Sequence, residues 1–417
     1  MAISWKYARW LGAATIAAAA LAATNAAAED LTLWTLNFDN GGANAALKKV
    51  ASDFETANPG THIQIVQRGV DEHKTALRVA AGSSKGPDIY FSWAGLGLGG
   101  EYVKAGLSLP LDKYYTQYKW SDELLPSAAA FADLYPGGKH GVPFTFKGEA
   151  IYYNKKLFQK AGITEAPKTY EELLADAEKL KAAGIPAFTF GGSVNWHVMR
   201  LMDVLLETKC GADKHDALMA LKTDWTKEPC ASDAFTEFAK WTSDYTLKPF
   251  MGISNQQSYT LFVAGRAAMM LEGDWLVSQL SGSGVNLDDY GVVPFPTNTN
   301  RLYGFAEYNY VSTKSKNPDL AAKFLDYFLS TKVQQDLVGQ ISSISVNKNV
   351  EYANQKPLEA KWLDIFKTYG KVYMNGDQAF PLDVTTEYFR VINDVAAGNI
   401  KPADAAKQLQ TFISGRT

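Results

Sequence analysis

Hydrophobic and polar positions divide the chain into two α/β stretches. In LTLWTL (31–36) apolar residues alternate, the pattern of a strand with one buried face. NFDNGG reads as a loop. From Ala43 to Asn58 the apolar residues Leu47, Val50, Ala51 and Phe54 recur at helical spacing until Pro59-Gly60 ends the run. HIQIVQ (62–67) predicts a second strand, residues 71–81 a second helix, and Ile89–Ser92 a third strand running into a glycine-rich loop. Strands and helices alternating in this way predict a parallel sheet with covering helices.

The pattern restarts near residue 148. GEAIYYNKKLF predicts a strand entering a turn. KTYEELLADAEKLKAAGI predicts a helix capped by Thr169, acidic at Glu171 and Glu172, and closed by Gly184. PAFTFGG (186–192) reads as a strand, and helices follow from Trp196, Ala231 and Ser254. Tyr290–Pro296 and Tyr308–Lys314 read as strands, NPDLAAKFLDYFLS (317–330) as a helix, and the remainder as largely helical. No long linker divides the two stretches, so the chain is expected to cross between them several times. Its length exceeds what one core serves, which predicts two domains.

Composition changes the picture first at the N-terminus. Lys6 and Arg9 precede an apolar run from Trp10 to Ala23, and Ala26-Ala27-Ala28 supplies small residues for cleavage. That order predicts a signal peptide over residues 1–28 and export to a periplasm-like compartment. The apolar run is short of the roughly 20 residues that span a bilayer. The whole chain carries 41 basic and 44 acidic side chains; without Lys6 and Arg9 the remainder is at −5. Such a balance attracts neither nucleic acid nor an anionic membrane. Cys210 and Cys230 are expected to pair in an oxidising compartment, with two separate buried thiols as the alternative.

Several motifs lead nowhere. GLGLGG (95–100) has dinucleotide-fingerprint spacing, but it follows a third strand and Asp112 comes too early to hold a ribose. His62, His73, His140, His197 and His215 show no metal-ligand spacing. Ser345 and Lys348 lack the companion motifs of acylating enzymes. Tyr114-Tyr115 and Tyr152-Tyr153 could suggest paired phenolates on iron, but the second pair lies in an alternating strand. No cofactor or metal is expected.

What stands out is aromatic rings beside hydrogen-bonding groups at strand ends and helix starts: Asn37 and Asp39, Ser92-Trp93, Asn195-Trp196-His197, Asp274-Trp275, and Glu307-Tyr308-Asn309. Ligands of open parallel sheets bind outside the strands' carboxyl ends. A flat ring suits the C–H face of a sugar, and carboxylates and amides suit its hydroxyls. Trp34, Trp225, Trp241 and Trp362 sit inside strand or helix patterns and are expected in the core.

Four stretches carry a family resemblance: residues 141–185, FVAGRAAMMLEGDW (262–275), YGVVPFP (290–296) and SKNPDLAAKFLDYFLS (315–330). Together they resemble the bacterial extracellular solute-binding proteins that deliver carbohydrates to ATP-driven importers, the group that includes the maltodextrin-binding protein. The resemblance covers essentially residues 29–417. It implies a two-lobed periplasmic binding protein fold of α/β class, class II, with crossing hinge strands and a ligand cleft between lobes. The expected limits are 29–144 with 293–340 for the N-lobe, and 145–292 with 341–417 for the C-lobe. It implies a monomeric receptor for a mono- or oligosaccharide, a membrane permease as partner, and no catalysis. The candidate ligand-binding residues are Asn37, Asp39, Ser92, Trp93, Glu149, Trp196, His197, Asp274, Trp275, Glu307 and Tyr308. Where many members show Gly-x-Pro after the long helix, this chain has GQISSISVN (339–347). The rival readings are a glycoside-acting enzyme using Asp274 and Glu307 as acid and base, and a polyamine or iron receptor of the same fold.

Overall fold

The computed structural model describes residues 29–416 except 39, 40, 354 and 370. The expected signal peptide and Asp39 lie outside the described residues.

Strand β1 (Glu29–Leu36) is followed by helix α1 (Gly41–Ala57), β2 (Thr61–Arg68), α2 (Val70–Ala81) and β3 (Ile89–Trp93). β1 lies between β2 and β3 and is parallel to both, with Leu31 opposite Ile63 and Leu33 opposite Ile89. The alternation in 31–36 does what it predicts: Leu31 and Leu33 are buried against Leu47, Val50 and Phe54 of α1 and Leu77 of α2.

β4 (Val142–Asn154) is a 13-residue strand, and β7 (Leu302–Val311) runs antiparallel to it. Between them in sequence come α3 (Tyr170–Ala182), α4 (Asn195–Met219), α5 (Asn255–Val263), β5 (Met269–Gly273), α6 (Leu276–Gly282) and β6 (Tyr290–Val293); β8 (Val372–Tyr373) follows β7. The sheet runs β2-β1-β3-β7-β4-β5, with β6 on β4 and β8 on β7. β3 pairs with the Glu307–Val311 half of β7, and β5 with the Glu149–Tyr153 half of β4. The two long strands therefore belong to both halves. Buried apolar side chains divide accordingly. One group spans Leu31–Phe146 and Ala306–Val346; two more fall within Ala150–Tyr303 and Leu358–Leu409.

α3 carries the predicted cap, with Thr169 accepting from the Glu172 N–H and the Glu172 carboxylate accepting from the Thr169 N–H. Cys210 on α4 is bonded to Cys230 on the helix Pro229–Lys240, at a Cα separation of 5.0 Å. Closing that loop stabilises the fold by about 3 kcal/mol in the chain-entropy model. Trp225, Trp241 and Trp362 are fully buried. Trp34 is half-buried, with the Arg68 guanidinium 4.1 Å over its ring.

Besides Trp34, expected in the core, three further expectations change. Residues 186–192 form an extended segment bridged through Phe188 to Thr246 and Met269, not a strand; its backbone bonds Tyr245 and Leu247 on one side and Ala268 and Met269 on the other until Gly191 and Gly192 abut the backbone of 250–255. β6 stops at Val293 because Pro294 and Pro296 lack N–H groups. β7 begins six residues before the expected strand and ends at Val311, because its first half pairs with β4.

Candidate functional site

A cavity of about 240 Å³ opens between the two halves. Strand ends and helix starts converge on it. Asn37 and Phe38 follow β1, Lys74 rises from α2 and Trp93 ends β3. Trp196 and Arg200 begin α4, Trp275 leads into α6, and Lys147, Phe305 and Glu307 come from the crossing strands. Asn375, Asp377 and Gln378 line the cavity from the N-cap and first turn of the short helix Gly376–Ala379 after β8.

Trp93, Trp196 and Trp275 are each half-buried, so each keeps part of its ring exposed. Trp196 and Arg200 are four residues apart on α4, which puts them on one helix face. The buried guanidinium of Arg200 lies 4.6 Å from the Trp196 ring centre and 5.3 Å from that of Trp275. Behind it, Arg200 Nε is 2.5 Å from a Glu149 carboxylate oxygen, and Nη1 is 2.8 Å from one of Glu272. One cation thus braces two indoles and is itself held by two acids. Burial pushes the Glu149 carboxyl up to about 7, against the pull of Arg200.

Gly273 has a steric reason. The Trp275 ring folds back so closely that a Cβ on Gly273 would come within 1.9 Å of a ring carbon. Asp274 points elsewhere. Its Oδ2 accepts from the Ser343 N–H at 3.0 Å, and burial raises its pKa while Lys147 holds it down. Lys147 is buried and donates to the Ile341 carbonyl at 2.7 Å. The unusual GQISSISVN segment therefore anchors a lysine and an aspartate of the crossing region. Glu307, its pKa raised by burial, accepts a short hydrogen bond from Thr145.

Of the described candidates, Asn37, Trp93, Trp196, Trp275 and Glu307 line the cavity. Five do not, and each has another partner. Ser92 is buried in β3. Glu149 pairs with Arg200 behind the wall. His197 is buried and accepts from the Gly191 N–H through Nδ1 at 2.9 Å, with burial lowering its pKa far below the usual histidine value. Asp274 does not line the cavity, and its Oδ2 accepts from the Ser343 N–H. Tyr308 is buried and donates a short hydrogen bond to the Ala128 carbonyl. Sequence reasoning missed Lys74, Lys147, Arg200 and the 375–378 turn. One signal pointed to Lys147, a lysine inside the apolar run of β4. Among the described residues no group of three His, Cys, Asp or Glu is placed to hold a metal ion.

Residues 11–335 match the family model described as bacterial extracellular solute-binding protein. The chain is 28% identical over 291 residues to the maltotriose-binding protein of Pyrococcus abyssi, a match covering 67% of this chain and 58% of that one. It is 24% identical over 262 residues to the sn-glycerol-3-phosphate-binding periplasmic protein of Brucella abortus, covering 61% and 59% respectively. A solved chitin oligosaccharide binding protein superposes with a TM-score of 0.82 at 24% identity, covering 92% of this chain and 97% of that one. That likeness is one of fold: two α/β lobes joined by crossing strands.

Proposed function

This chain belongs to the bacterial extracellular solute-binding protein family, and we propose that it captures a saccharide between its lobes and delivers it to the permease of an ATP-driven importer. The observation that carries this reading is the pair of indoles, Trp196 and Trp275, braced by one buried guanidinium and facing a cavity that Trp93 enters from the other lobe. Covering roughly 50 Å² of apolar sugar face gives about 1–1.5 kcal/mol per ring. Three rings supply at most about half of the roughly 8 kcal/mol of a micromolar complex. Polar groups of both lobes must supply the rest. A ligand touching both lobes favours the closed arrangement, because only then is the site complete.

We take the protein to be a monomeric, non-catalytic receptor exported through residues 1–28. We assign the N-lobe to 29–144 and 293–340 and the C-lobe to 145–292 and 341–417; the buried groups change over somewhat later along the chain at each crossing. Titration calorimetry against mono- and oligosaccharides tests the reading: micromolar binding of at least one is expected, and silence across the panel at millimolar concentration would sink it. Release of reducing ends from any glycoside would favour an enzyme instead.

A further inference from the structure

The segment after the helix Thr331–Leu337 carries an apolar side chain into the cleft. Ile341 lines the cavity between the lobes together with Lys147, Trp275 and Phe305. It also lines two smaller voids. One, of about 20 Å³, lies against Asp274, Trp275 and Ser278. The other, of about 10 Å³, lies against Phe144, Thr145 and Ile344. Trp275 and Ser278 border the cleft as well as the first void. A single side chain, 8% exposed, therefore stands where the cleft and both voids meet.

The backbone holds this partition in place. Gly339, at φ +77°, ends the helix in the left-handed region, and its N–H donates to the Ser342 carbonyl at 2.8 Å. The Ile341 N–H donates to the Leu337 carbonyl at 3.1 Å, and the Ile341 carbonyl accepts from Lys147 Nζ at 2.7 Å. Two residues on, the Ser343 N–H donates to Asp274 at 3.0 Å. Lys147 and Asp274 are both buried, so withdrawing the turn would strand a cation and an acid in low dielectric. The cavity itself, at about 240 Å³, is smaller than the roughly 300–1,000 Å³ of common ligand pockets.

We infer that Ile341 is a size filter: it ends the cleft beside Trp275 and refuses sugars whose rings carry a bulky substituent there. A group larger than the space meets a wall that does not yield, and overpacking offsets the gain from stacking. Trimming Ile341 to Ala removes three carbons and joins the cleft to the void behind Trp275. The space released suits a hydroxymethyl or acetamido group rather than a further ring. The inference rests on the saccharide reading above and adds a limit of size to it.

The test is calorimetry of two series in which the ring stereochemistry is constant and the substituents grow. One is xylose, glucose and N-acetylglucosamine with their β-1,4-linked dimers; the other is L-arabinose, galactose and N-acetylgalactosamine. Ile341→Ala should raise the affinity of at least one bulkier homologue tenfold or more relative to the sugar that the parent binds most tightly. Ile341→Val, the mildest trim, should move the ratio the same way. Ile341→Phe should weaken the parent's tightest sugar at least tenfold with an unchanged unfolding midpoint. Ile344→Ala, in the same segment but away from the cleft, should leave every affinity within twofold. A parent that prefers the N-acetylated sugars overturns the filter. So do Ile341 variants that fold and keep the parent's ratios, or an Ile344→Ala variant that shifts them equally. Each of these results leaves a saccharide receptor standing. Silence from both series overturns the filter, and silence from the wider panel above removes the receptor reading as well.

Discussion

The two walls of the cleft are built by different means. On the C-lobe side, Trp196 and Trp275 rest on Arg200, Arg200 rests on Glu149 and Glu272, and the 375–378 turn rests on Asp203. All of that support is buried. On the N-lobe side, Trp93 has the Lys74 ammonium 4.9 Å from its ring, and Asn37 accepts from Asn44 Nδ2 at 2.8 Å in an exposed pair. Buried ionic groups resist rearrangement because any alternative strands a charge in low dielectric, while exposed ones exchange with water at little cost. The C-lobe wall should therefore set the pose of the ligand, and the N-lobe wall should adapt to it.

The strongest way to break this contrast is to remove one cation from each wall. Arg200→Met leaves Glu149 and Glu272 facing an apolar side chain, which costs about 3–5 kcal/mol for a buried pair broken on one side. It should also abolish binding, because both indoles lose their brace. Lys74→Met should change stability by less than about 0.5 kcal/mol, as surface substitutions do. Urea unfolding of both variants settles the matter, and equal costs would remove the distinction between the walls.

Next in size is an opposite response to pH. Burial raises Glu149 and Asp203 in the C-lobe to about 7 from ordinary values of 4.5 and 3.8, and Asp274 and Asp377 shift the same way. A carboxyl that binds its proton more tightly when folded stabilises fully below its unfolded pKa, and that contribution is lost as pH rises through about 7. His197 opposes these acids, since burial lowers it. In the N-lobe, where burial also raises Glu307 and Asp326, it lowers the histidines His73, to about 4, and His140. Their contribution is present above 6.5 and lost as pH falls. Between pH 7 and pH 5, hydrogen exchange corrected for its intrinsic rate should show the part of α4 before its break at Gly211, residues 195–210, gaining protection relative to helix 70–81. The reverse order would contradict the placement of these groups.

The indoles sharpen the contrast at the ligand itself. Trp275→Ala should weaken saccharide binding by about 1–3 kcal/mol, the range of a lost, well-supported contact. Trp93→Ala should cost less, because its wall can move to recover contact. Calorimetry of both variants with the tightest-binding sugar provides the comparison. A larger loss at Trp93 would assign the anchoring role to the N-lobe.

The same geometry explains how far the sequence could be read. The parallel strands, the capped helix and three core tryptophans followed directly from periodicity. The site candidates came as adjacent pairs, and adjacency was the difficulty. Successive strand residues point to opposite faces. Trp93 therefore lines the cavity while Ser92 is buried in the sheet, and Glu307 lines it while Tyr308 enters the core. At the end of β5, Trp275 faces the cavity and Asp274 turns to Ser343. On α4, Trp196 lines the cavity and His197, about 100° around the helix, does not. The pattern located the right segments without saying which member of each pair faced the ligand. Arg200 and 375–378 were illegible for another reason. Their importance comes from Glu149 and Asp203, far away in sequence, and no local period records that.

The smallest predicted effect concerns how the yielding wall meets the fixed one. The glycine-rich loop whose spacing resembled a nucleotide motif touches the 375–380 segment of the opposite lobe. The Leu96 N–H donates to the Gln378 carbonyl at 2.7 Å, and a Cβ on Gly97 would come within 2.4 Å of the carbonyl oxygens of Asp377 and Phe380. Gly97→Ala should leave each lobe folded, because the clash exists only when the lobes meet, but it should weaken saccharide binding about tenfold, or ~1.4 kcal/mol. Leu96→Ala keeps the N–H and trims a side chain that is 42% exposed, so it should bind like the parent. Small-angle scattering with saturating sugar should show Gly97→Ala remaining more extended than Leu96→Ala. Identical profiles and affinities would mean that this loop plays no part in bringing the walls together.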